Sequence, residues 1–122
     1  MHTRGLRGAT TIQTDTHAEV LSATRELLEA ILRANPALCR EDIASAIFTV
    51  TEDIASTYPA QAARQMGWGL VPMICAREIP VPDGLPLCIR VLIHWNTDLP
   101  QEAVKHVYLR QAVKLRPDLA ET

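Results

Sequence analysis

Between Thr16 and Asn35 the apolar positions recur every third or fourth residue. Val20, Leu21, Thr24, Leu27, Leu28, Ile31 and Leu32 form one stripe, while Glu19, Ser22, Arg25, Glu26, Glu29 and Arg33 fall opposite. That period predicts an amphipathic helix packed on a sheet. Thr16 followed by Glu19 reads as a capping box, and Asn35-Pro36 marks the stop. Before it, residues 2–12 read as a strand. After it, residues 43–51 end in the β-branched run IFTVT, which Glu52-Asp53 interrupts. Tyr58-Pro59 predicts the start of a short helix that Gly67 closes. LVPMIC (70–75) predicts a short strand whose proline sends it to an edge or a bulge. PVPDGLP (80–86) reads as a loop, and LCIRVLIHW (87–95) as the strongest strand. LPQEAV (99–104) predicts one helical turn, HVYLRQAVKL (106–115) one or two strands, and RPDLAET a polar tail. The sum is an α+β domain: a mixed β-sheet with one long and one or two short helices.

Strand 87–95 has one detail that bears on chemistry. Leu87, Ile89, Val91, Ile93 and Trp95 share one face, and Cys88, Arg90, Leu92 and His94 the other. Both faces are mostly apolar, so the pattern predicts cover on both sides and a desolvated Arg90. Such a charge is costly unless an anion and good hydrogen bonds compensate. Two readings follow: an ion pair with Glu78 or Asp98, or a cation held ready for a ligand.

Composition narrows the classes. The 122 residues, 48% hydrophobic and 21% charged, suit one ordinary globular domain spanning the chain. A formal charge of −2 argues against nucleic acid as the main partner. No apolar run reaches membrane-span length, and no signal-peptide core is evident, so a cytoplasmic protein without membrane association is expected. The three cysteines, Cys39, Cys75 and Cys88, form no CxxC pair, and the four histidines are scattered. Neither a metal nor another cofactor is therefore expected. Of the twelve basic residues ten are Arg. A skewed genomic base composition would produce that excess, and so would a need for planar, permanently charged forks that grip carboxylates.

Position decides between them. RGLRG sets Arg4 and Arg7 among glycines at a strand start, and the pattern leaves open which of the two points inward. Glu78 lies just past a strand end in ICARE, and Tyr108 sits on a strand in HVYLR. No Ser/His/Asp or Cys/His spacing marks a nucleophile, and Cys75 and Cys88 read as small core residues. Strand arginines, one carboxylate and no nucleophile suit a site that binds a small polyanion without attacking it. An enzyme and a sensor of a small dicarboxylate would each fit.

RGLRGATT, VPMICAREIPV, CIRVLI and TDLPQEAVKHVYLRQAVKLRPDL occur in that order from Arg4 to Leu119. In this the chain resembles the small trimeric chorismate mutases of the barrel-like class. The resemblance implies rearrangement of chorismate to prephenate, toward phenylalanine and tyrosine. It also implies a homotrimer whose sheets form a shared barrel-like core, with active sites at the subunit clefts. Residue by residue, it assigns Arg90 to the breaking ether oxygen, Arg7 and Tyr108 to substrate carboxylate, and Glu78 to the ring hydroxyl. Ile74, Cys75, Ala76, Arg77 and Glu78 would line the pocket, and Arg116 would lie in a mobile tail over it. Tyr58 would be an aromatic wall from the neighbouring subunit. The chain departs from the pattern at Gln61, where some relatives carry a cation, and at Ile74, which replaces a small polar residue. It also has one residue more near 37–40 and one fewer near 66–67.

Overall fold

The structure, a computed structural model, describes residues 1–115. The tail expected at residues 116–122, and Arg116 with it, lies outside the described residues. Five strands form one sheet: β1 (His2–Thr11), β2 (Ile43–Val50), β3 (Met73–Arg77), β4 (Cys88–Thr97) and β5 (Val107–Tyr108). Their order is β3-β2-β4-β1-β5. β4 runs antiparallel to both β1 and β2, whereas β5 lies parallel to β1 and β3 parallel to β2. With helices α1 (His17–Ala34) and α2 (Ala60–Gln65) this is the expected α+β architecture. No helix among the described residues is long and apolar enough to cross a membrane.

α1 buries Val20, Ala23, Thr24, Leu27, Leu28 and Ile31 against one face of the sheet. There Leu27, Leu28 and Ile31 join Leu6 of β1, Phe48 of β2 and Val91, Ile93 and Trp95 of β4, all essentially inaccessible, while Val20 and Ala23 cluster with Ile12, Ile54 and Ile89. Gly8 of β1 lies directly under the helix. A Cβ built there would stand 2.7 Å from Ile31 Cδ1 and 3.3 Å from both Leu27 Cδ1 and Val91 Cγ1. Close approach of strand and helix depends on that missing side chain.

The start of α1 corrects one expectation. The Glu19 N–H donates to Thr16 Oγ1, as a capping box requires, but the Glu19 carboxylate accepts from the Gln13 N–H at 2.7 Å. The Thr16 N–H turns to the carbonyl of Thr14 instead. At its other end the buried Asn35 donates to the carbonyls of Ile31 and Lys105 and accepts from the Lys105 N–H. One amide thus ends the helix and fixes the approach to β5.

Three further expectations shift. β3 begins at Met73 rather than residue 70, because Pro72 has no N–H to donate and only its carbonyl joins the ladder, accepting from Ala46. β3 is nevertheless the edge strand its proline predicted. The run 106–115 yields only the two-residue β5, then a turn of 3-10 helix at Arg110–Lys114. Arg110 takes φ 54°, left-handed for a side-chain-bearing residue, and donates through Nη1 to the Thr11 carbonyl while its Nε lies 3.3 Å from Glu26. These tertiary contacts override the strand pattern. Finally, the face of β4 that carries Arg90 is not covered within one chain. Arg90 is 45% exposed rather than desolvated.

Candidate active site

The open face of the sheet, opposite α1, carries a cleft of about 310 Å³. Strand alternation and register place its groups. Arg90 on β4 pairs across with Ala9 on one side and Thr49 on the other, and Arg7 pairs with Leu92. Arg7 and Arg90 are therefore diagonal neighbours, a relation that sets residues about 7–8 Å apart. Ile47 and Leu92 form an apolar floor, and Tyr108 and Leu115 close the end near β5. Glu78 enters from the opposite side, just past β3, its N–H tied to the Val50 carbonyl at 2.9 Å.

The cleft is electropositive, with two guanidinium groups against one carboxylate. Arg90 Nε stands 3.7 Å from Glu78 Oε2, an open ion pair of partly exposed partners, so one of the two readings from the sequence is present in this geometry. A separation of 3.7 Å is too long for a hydrogen bond, so the Arg90 fork keeps donor capacity for a ligand. The same Glu78 oxygen accepts the Thr49 hydroxyl. The Arg7 backbone is anchored where its N–H donates to His106 Nδ1 at 2.9 Å. Beside it the Gln101 amide takes both backbone groups of Gly5, satisfying the strand edge that β5 is too short to reach. Arg4 is structural, donating through Nε to the Leu99 carbonyl.

No cysteine, serine or histidine is among the described residues that line this cleft. Cys88 lies beneath it, buried with Ala9, Tyr108 and Ala112. Burial pushes the Cys88 thiol up from its ordinary value, opposed by the nearby Arg90 charge. A thiol held protonated is a poor nucleophile.

Of the candidates read from the sequence, the structure brings Arg7, Glu78, Arg90 and Tyr108 together in the one cleft. Five others lie elsewhere. Tyr58, Cys75, Ala76 and Arg77 line a separate hollow of about 410 Å³, and Tyr58, Ile74 and Cys75 share an adjoining groove with Arg64. Cys75 packs against the main core, because its register partner Phe48 lies on the helix side. Ile74 and Tyr58 are exposed. Gln61 accepts from the Thr57 hydroxyl at 3.0 Å, while Arg64, one turn further on, supplies a cation to the groove. Sequence reasoning missed Arg64, Ile47, Leu92 and Thr49. For Thr49 the alternation of IFTVT was the available signal, but its partner Arg90 becomes known only from the register of β2 on β4.

Comparison with known proteins bears directly on this arrangement. The family model described as chorismate mutase type I matches residues 3–119. The chain is 58% identical over 116 residues to chorismate mutase AroH of Thermus thermophilus, covering 95% of each protein. It is 44% identical over 123 residues to chorismate mutase AroH of Bacillus subtilis, covering all of this chain and 96% of that protein. Among solved structures, a chorismate mutase from Clostridium thermocellum superposes with a TM-score of 0.86 at 45% identity. That match covers 88% of this chain and 96% of the other.

Proposed function

The chain belongs to the type I chorismate mutase family, and from that premise we propose that residues 1–122 act as one chorismate mutase domain. It rearranges chorismate to prephenate in aromatic amino acid biosynthesis, without a cofactor and in the cytoplasm. The observation that carries the reading is the cleft itself: two diagonal arginines and a carboxylate around an apolar floor.

The chemistry matches these groups. A Claisen rearrangement breaks a C–O bond as a C–C bond forms, and no proton has to move. Catalysis then consists of holding the dianion in its compact diaxial conformer and stabilising negative charge on the ether oxygen. Arg7 and Tyr108 hold substrate carboxylate, Glu78 accepts the ring hydroxyl, and Arg90 faces the ether oxygen. Adding the protein to chorismate is expected to abolish the substrate's absorbance with first-order decay. Unchanged absorbance would leave the cleft a dicarboxylate-binding site without this activity.

pH gives a second test. Arginine cannot lose its charge, and no group must change protonation during turnover. Activity is expected to stay flat from neutral to mildly alkaline pH and to fall only in acid, where the substrate's carboxylates take up protons. A bell centred near neutrality would point to acid–base catalysis instead.

The cleft is open on one side in a single chain, and we infer that a homotrimer closes it. Tyr58, Ile74, Cys75, Ala76 and Arg77 lie outside the cleft of their own chain but on a surface that a partner subunit's cleft could meet. Large apolar side chains of this chain stand exposed: Ile74 on that surface is 62% exposed, and Ile79 and Val81, just beyond β3, are 82% and 63% exposed. A subunit contact would take such side chains out of water. Sedimentation is expected to show a trimer at micromolar concentration, and a fully active monomer would exclude this assembly.

A further inference from the structure

Resting on the reading of Glu78 and Arg90 as catalytic residues, we propose that Thr49 is a positioning residue that keeps their ion pair open for substrate. Glu78 has its backbone tied down just past β3, but the flexible side chain has to cross to the middle of the cleft. Two groups converge on its Oε2 from neighbouring strands. The Thr49 hydroxyl on β2 donates a hydrogen bond to it, and Arg90 Nε on β4 stops 3.7 Å away. Thr49 and Arg90 are direct cross-strand partners, so both side chains rise from the same line across the open face. Arg7 and Tyr108 line the same cleft further along, and Glu52 and Asp53 approach Glu78 from the turn after β2.

This arrangement makes Thr49 a spacer. A carboxylate and a guanidinium this close favour the shorter, bidentate contact, which would use up the donors of Arg90 and the acceptors of Glu78 on each other. The hydroxyl satisfies Oε2 in its place and holds the carboxylate toward β2. Both charged groups then reach the substrate with free hydrogen-bonding capacity. A β-branched residue suits the strand, but only one with a hydroxyl performs the spacing, so valine has the shape of Thr49 without its function.

The test compares Thr49→Val with Thr49→Ser, after circular dichroism confirms that each is folded; Thr49→Ala substitutes if the valine variant is not. Thr49→Val is expected to lower kcat/KM for chorismate about tenfold or more, the scale of a lost hydrogen bond to a charged group. Thr49→Ser, which keeps the hydroxyl, should remain within about threefold of wild type on the same scale. Independently of turnover, the Arg90 Nε–H NMR resonance, assigned by its loss in Arg90→Met, is expected to move downfield in Thr49→Val as the pair closes, and to stay in place in Thr49→Ser. Equal losses of activity in the two variants, or an unmoved Arg90 resonance in Thr49→Val, would overturn the proposal. Wild-type protein that fails to turn over chorismate would overturn the functional reading instead, and the resonance would still decide the role of Thr49.

Discussion

Arg90→Met is expected to lower the maximal rate of chorismate turnover by about 10³-fold or more, with a smaller change in substrate affinity. Methionine matches the unbranched apolar stem of arginine without the guanidinium, so β4 keeps its place between β1 and β2 while the charge disappears. Removing one well-placed oxyanion donor elsewhere costs about 10²–10³ in rate, and a full charge stands at or above the top of that range. In the isolated chain Arg90 is 45% exposed, which would weaken its field. Cover by substrate and, in the proposed assembly, by a partner subunit would exclude water and strengthen it. Because the charge on the ether oxygen develops only in the transition state, the loss belongs in kcat.

Two companion variants sharpen the outcome. Arg90→Lys keeps a charge but loses the fork and moves the cation, so it recovers only part of the rate. Cys75→Ala should cost little, because no thiolate attacks anything and the side chain packs against the core, away from the cleft. All three are to be purified, shown to be folded and trimeric, and assayed. Arg90→Met activity above about a tenth of wild type would reduce Arg90 to the ion-pair partner of Glu78 and refute this mechanism.

How much of this could be read beforehand depends on how local each signal was. α1 is legible because the stripe from Val20 to Ile31 is set by its own period, β4 because its run LCIRVLIHW is long, apolar and rich in β-branched residues, and β1 mainly through Thr10, Thr11 and Ile12 at its end. Arg7, Glu78, Arg90 and Tyr108 were nameable through family motifs, yet residue patterns alone offered only scattered charged side chains. Their convergence requires β1 beside β4 and β2 between β4 and β3, pairings that no local pattern encodes. The same limit explains the errors. HVYLRQAVKL alternates like a strand, but contacts of Arg110 with Thr11 and Glu26, far away in sequence, turn the chain after Tyr108. Apolar residues on both faces of β4 predict cover on both, and a single chain supplies it with α1 for one face only. The apolar character of the other face, with Leu92 beside Ile47, belongs to the cleft floor and to the proposed subunit contact.

Gly8→Val is expected to destabilise the fold by about 3 kcal/mol or more, the upper end for overpacking, and to disable the site with it. The glycine sits between Arg7 and Ala9 on β1, facing α1. A bare Cβ would already approach Ile31 Cδ1 to 2.7 Å and meet Leu27 and Val91 at 3.3 Å. Ile31 and Leu27 are completely buried, so their methyl groups cannot swing into solvent to make room. Valine adds two further methyl groups to that contact, and either the helix or the strand must move. β1 is held on its other edge by β5 at Gly8 and Ala9 and by His106 at Arg7, so a displaced strand would carry the Arg7 guanidinium out of register with Arg90. Gly8→Ala, which puts a single methyl group into that contact, should lose a smaller part of the stability. Thermal unfolding of both variants, followed by chorismate turnover well below their midpoints, separates the two consequences. A Gly8→Val protein with wild-type unfolding temperature would show that α1 and β1 do not pack as closely as the fold described here requires.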